Sequence, residues 1–218
     1  MKRILAAYSV TALLLFTRTT FATTPVPATA RVLGIQLGGQ VSGVTDPLAT
    51  AHVQILDATN VPMANSTVDL LFGNCPFTNF DVHPATAQSF PGMSWNCESR
   101  TATAVTDVNG FADFCLAGGA SALPGNSIGG TSGCVVIRAD GVLLGNFRLS
   151  AYDLDSKGGV NSADVSLFTG TLFASPAGYR TRADYNGDGV VNSADLSKLL
   201  AVLFRHGSLT SAPAPACY

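Results

Sequence analysis

Charge is scarce in this chain. Lysine, arginine, aspartate and glutamate together make up 12% of the 218 residues, and the formal net charge is only −2. That leaves no basic footprint for a nucleic-acid partner. Glutamate is almost missing: thirteen of the fourteen acids are Asp, and Glu98 is the exception. The three histidines (His52, His83, His206) stand apart from one another and no CxxC occurs, so nothing has the spacing of a zinc site. No GxSxG, no HExxH and no phosphate-cradling glycine loop with its lysine is present, so no residue is singled out as catalytic. The length also excludes a large catalytic scaffold. What is plentiful is glycine (22) and proline (11), a turn-rich balance that suits an extracellular β-rich protein.

Lys2 and Arg3 precede an apolar run from Ile4 to Phe16, followed by small residues around Ala22 and then Thr-Thr-Pro. These are the charged, apolar and cleavage regions of a secretory signal peptide, and the run is too short for a membrane span. A buried N-terminal helix is the alternative, against which Arg18 interrupts the pattern. Cleavage is expected after Ala22, with Ala30 as second choice, leaving a signal peptide at 1–22 and a disordered leader at 23–32. The protein is therefore expected to be secreted, extracellular or at the cell surface, where Cys75, Cys97, Cys115 and Cys134 can pair. Of the three pairings open to these four, Cys75 with Cys97 and Cys115 with Cys134 closes the shortest loops and is the expectation. Cys217 is left over in a low-complexity tail at 207–218.

Residues 33–150 alternate short β-branched runs with turn signals. His52 to Leu56, Thr67 to Phe72, Thr101 to Thr106, Phe111 to Leu116, Cys134 to Ala139 and Val142 to Ser150 read as strands. Asp107-Val108-Asn109-Gly110 and Asp140-Gly141 place Asx and Gly where a tight reversal needs positive φ. Trp95, with Phe90 and Met93 nearby, is either packing or a sugar-stacking platform. The segment Asp57 to Phe72, with Val61-Pro62-Met63-Ala64 ahead of Thr67-Val68, and later Thr106 to Ala112, resembles the bacterial immunoglobulin-like repeats of surface adhesins. That resemblance implies an all-β Ig-like sandwich.

Residues 151–206 carry one unit written twice at a period of 31 residues, Asp153 to Asp164 and Asp184 to Asp195. In the second copy, oxygen side chains stand at loop positions 1, 3, 5, 9 and 12: Asp184, Asn186, Asp188, Asn192 and Asp195. Gly189 provides the sharp turn and Val190 a carbonyl at position 7, which is how a twelve-residue EF-hand-like loop wraps Ca²⁺. The first copy keeps Asp153, Asp155, the Gly159 carbonyl, Asn161 and Asp164, with Gly158 at the turn, but puts Lys157 at position 5. Either water fills that place at reduced affinity, or the ammonium neutralises the acids and no calcium binds. Val142 to Ser150 and Ser175-Pro176-Ala177-Gly178 forbid entering helices. Exiting helices follow each loop, with Val165, Phe168, Leu172 and Phe173 on one, and Leu196, Leu199, Leu200, Leu203 and Phe204 on the other.

A loop and exiting helix given twice, with Asn-Ser-Ala-Asp in both copies, resembles the type I dockerin of cellulosomal proteins. The resemblance implies a small all-α calcium-binding module behind the sandwich, docking to a cohesin-type domain, and through it a link with polysaccharide breakdown. It assigns the partner contacts to Ser162, Ala163, Ser193 and Ala194, whose identity between copies would permit two binding orientations. Any tie to glycoside hydrolysis comes through that family alone. Two other readings stay open: a surface or adhesion protein in which calcium is purely structural, and an accessory carbohydrate-binding protein.

Overall fold

The computed structural model describes residues 24–27, 31–32, 35–37, 40–41, 44–45, 50–75, 80–84, 92–120, 133–155, 159–173, 183–186, 188 and 190–206. The expected signal peptide with both expected cleavage sites, Lys157, Gly158, Gly189 and the tail with Cys217 lie outside the described residues. So do the side chains of Leu172 and Phe173.

The strands are β1 (Arg31–Val32), β2 (Ile35–Leu37), β3 (Gln40–Val41), β4 (Val44–Thr45), β5 (Thr50–Gln54), β6 (Thr67–Leu71) and β7 (Phe80–Pro84), then β8 (Met93–Asn96), β9 (Thr101–Val105), β10 (Phe111–Ala120), β11 (Val135–Ala139), β12 (Val142–Phe147) and β13 (Leu149–Ala151). Two helices follow, α1 (Ser162–Phe173) and α2 (Ser193–His206). One antiparallel sheet has the order β1-β5-β10-β7 and a second β12-β11-β6-β9-β8. Alternation drives both: Ala51 and Val53 in β5, Val68 and Leu70 in β6, and Ala112 and Phe114 in β10 are buried, while the residues between them face outward. The inward rows of both sheets meet in one core that also holds Phe72, Val135 and Ile137. Each fully buried Leu or Phe there contributes about 1.5–3 kcal/mol.

The turns form where Asx and Gly predicted them. Asp140 (φ 48°) and Gly141 (φ 80°) make the two-residue reversal between β11 and β12. At the other, the Asp107 side chain accepts hydrogen bonds from the Asn109 and Phe111 amides, which hold its carboxyl below the usual range. Trp95 packs on Phe72, ring centroids 5.8 Å apart, with its buried indole N–H lacking an acceptor. The run from Val142 to Ser150 is not one strand. It breaks at Arg148, because β12 pairs with β11 while β13 crosses to run parallel with β2.

The expected disulfides are replaced by another. Cys75 bonds Cys134, joining the chain just beyond β6 to the start of β11. Those strands are neighbours, with Leu71 opposite Val136, although far apart in sequence. Cys115 cannot reach Cys134 in the expected way: it lies in β10 opposite Thr50, in the other sheet, and keeps its thiol. Cys97 is disulfide-bonded as well.

Gly133, just ahead of Cys134, has φ 79°, and a Cβ there would sit 2.2 Å from the Phe147 carbonyl carbon. Gly133→Ala is therefore expected to cost about 2–3 kcal/mol, from a strained φ and an overlap with backbone. An unchanged urea midpoint for this variant would contradict the close approach.

An all-β Ig-like sandwich followed by a small all-α calcium-binding module is not what the structure shows. The described chain is mostly β-sheet with two short helices, and although those helices share a small core of their own they are tied to the sheets and form no separate all-α module. The reason lies in how the loops are attached. Asp153 bridges Gly119 at the end of β10, the Tyr185 hydroxyl donates to the Ala151 carbonyl at 3.1 Å, and Arg148 faces Asp184. Such long-range ties leave no trace in hydropathy, so the helical pattern alone read as an all-α module behind the sandwich.

Candidate metal centre

Residues of both Asp/Asn loops and both helices share a second core. Tyr152 and Tyr185 stack at 4.5 Å, Phe168 of α1 lies 6.2 Å from Tyr185, and Leu199 and Val202 of α2 close the cluster. Of the expected helix contacts, Phe168 and Leu199 are buried and Val165, Leu196 and Leu203 are partly so, while Phe204 is exposed. Burial raises the Tyr185 hydroxyl far above its ordinary range, so it stays a donor to Ala151.

The duplication seen in sequence is repeated bond for bond. At position 12, Asp164 Oδ1 accepts from the Leu154 amide at 2.6 Å, and Asp195 Oδ1 accepts from the Tyr185 amide at 2.8 Å. Their second oxygens accept from position 9, Asn161 N at 2.7 Å and Asn192 N at 3.0 Å. At position 9, Asn161 Oδ1 caps the Ala163 amide and Asn192 Oδ1 the Ala194 amide, which starts α1 and α2. The amides of these Asn side chains donate to the position 7 carbonyls, Gly159 O at 2.7 Å and Val190 O at 3.4 Å. Gly159 takes φ 71°, which the turn requires.

Carboxylates converge in the first loop. Oxygens of Asp153, Asp155 and Asp164 all lie within 4.8 Å of one another, and Asp153 and Asp164 are 1% and 0% exposed. Burial pushes the Asp164 carboxyl up to about 6, and the nearby Asp153 and Asp155 charges push the same way against the pull of the Asn161 and Leu154 amides. In the second loop Asp184 and Asp195 are buried, but Asn186 and Asp188 are exposed and bond each other, Asn186 Nδ2 to Asp188 Oδ2 at 2.9 Å. The Val190 amide and the Asn186 side chain keep the Asp188 carboxyl below its usual range. Ser162, Ala163, Ser193 and Ala194 are exposed at the helix starts.

Three further residues belong to this centre. Arg148 Nη1 lies 3.6 Å from Asp184 Oδ2, Lys198 Nζ donates to the Tyr185 carbonyl at 2.8 Å, and Tyr152 supplies the stacking surface. None repeats at the 31-residue period, so the duplication did not point to them. The donor set suits a hard cation: every side-chain atom offered by the gathered residues is a carboxylate oxygen, and three acids crowded out of water need positive charge among them. Asp153, Asp155 and Asp164, with the Gly159 carbonyl, would hold Ca²⁺ in the first loop. Among the described residues the acids of the second loop are not gathered in this way; Asp184, Asp195 and the Val190 carbonyl, joined by Asn186, Asp188 and Asn192, would have to close together to hold Ca²⁺ there. Compared with known proteins, the chain matches no family model, no curated protein and no solved structure.

Proposed function

We propose that this is a secreted, non-catalytic protein whose paired Asp/Asn loops bind calcium and, once ordered by it, present Ser162-Ala163 and Ser193-Ala194 to an extracellular protein partner of the cohesin type. The observation that carries the calcium reading is the convergence of buried Asp153 and Asp164 with half-buried Asp155, whose mutual repulsion a divalent cation relieves. The likeness of the repeat to type I dockerin loops supports the choice of partner and the link with polysaccharide breakdown. Matching exposure of the Ser-Ala pairs at both helix starts supports their use as contacts.

A second reading, calcium as a purely structural element of a surface protein, is favoured by the ties of Asp153 to Gly119 and of Tyr185 to Ala151. Two measurements separate these. Calorimetric titration should show Ca²⁺ uptake with a dissociation constant at or below about 1 mM, the range of extracellular calcium modules. Immobilised type I cohesins should then retain the protein in calcium and release it in chelator, with Ser193→Asp plus Ala194→Asp weakening retention. Calcium uptake without retention selects the structural reading, and no heat of uptake at several millimolar would sink both.

A further inference from the structure

Resting on the calcium reading, we propose that Arg148 is a resident counter-ion of the second loop: a cation from the sheet side of the molecule that holds Asp184 when calcium is absent and must yield when calcium arrives. The Arg148 guanidinium lies 3.6 Å from Asp184 Oδ2, at the first ligand position of the loop. That separation is an ion pair outside hydrogen-bond range, so the contact is held by charge and is readily displaced. The two partners are unequal. Asp184 is 3% exposed in its side chain and gains little water when this contact is lost, whereas Arg148 is 41% exposed and can turn its guanidinium toward solvent while staying beside the loop. Arg148 stands in the residue between β12 and β13, where the chain crosses from one sheet pairing to the other. Calcium occupancy of the second loop is thereby read at the switch between the sheets.

The charge arithmetic sets the effect. A single positive charge about 6 Å from a divalent ion in water-like surroundings opposes binding by about tenfold. Arg148→Gln in the full chain should therefore tighten calcium binding to the second loop by about tenfold in calorimetric titration, while Arg148→Lys, which keeps the charge, should stay near the parent. Asp188→Ala combined with Arg148→Gln should abolish the gain, which places it in the second loop.

Thermal unfolding gives a readout that an ordinary stabilising ion pair would not. Arg148→Gln should melt below the parent in chelator, where Asp184 has lost the Arg148 contact, and level with or above it in saturating calcium. Calcium binding by the parent with no tightening in Arg148→Gln overturns the counter-ion role and leaves the calcium reading standing. A variant that melts lower in both conditions assigns Arg148 a structural role only and also overturns the proposal. No calcium heat from either protein overturns it together with the reading beneath it.

Discussion

Replacing Cys75 and Cys134 together by alanine is expected to cost about 4 kcal/mol of unfolding free energy. The bond closes a loop of 59 residues in sequence, and the chain entropy it removes from the unfolded state grows with the logarithm of that length, which gives the figure. Both sulfurs are buried in the core against the β6 and β11 rows, so the double variant also loses packing. The urea midpoint of the double variant should fall below that of the oxidised parent, and reduction, which also opens the Cys97 disulfide, should lower the parent at least as far. A parent whose midpoint is unmoved by reductant would show that the bond does not staple the sheet.

The calcium-free protein should be more stable at pH 5 than at pH 7. Burial raises the folded-state pKa of Asp164 to about 6, from an ordinary value of 3.8, so between these pH values the folded state binds the extra proton. Stability tied to that proton is fully present below pH 3.8 and is lost as pH rises through about 6; the whole loss is about 3 kcal/mol, of which about 1 kcal/mol falls between pH 5 and pH 7. Calcium reverses the sign, because a bound cation favours the ionised triad and acid then expels it. Melting temperatures in chelator at pH 5 and 7 test this, with Asp164→Asn expected to flatten the difference. If that variant kept the full pH dependence of the parent, the effect would belong to another group.

Local chemistry was readable and long-range geometry was not. The alternation of Val68 and Leu70, and of Ala112 and Phe114, identified inward faces that the structure buries. Asp107 to Gly110 and Asp140-Gly141 announced their turns because only a few residue types supply those dihedrals. Asn161 and Asn192 were legible as position-9 loop oxygens, but their capping of the Ala163 and Ala194 amides shows only in the structure. By contrast β1 to β4 are two or three residues long, too short for any period to show. β8 alternates Ser94 and Asn96 with Met93 and Trp95 at an edge, where hydrophobic demand is one-sided. Shortest-loop reasoning failed for the cysteines because it counts residues, while the sheet sets β6 beside β11. The helical pairing after residue 160 was visible, yet its fusion to the sheets depends on Arg148, Ala151 and Gly119, whose part no repeat or motif encodes.

The parallel pairing of β2 with β13 has a cost in time. Ser150 Oγ donates to the Ile35 carbonyl across 115 residues of sequence, with Leu149 registered on Ile35. A nascent chain emerging from its amino end must keep Ile35 waiting until the 115 residues that separate it from Ser150 have followed. Such distant closure slows folding and favours a holding factor that shields the early strand from its neighbours during synthesis.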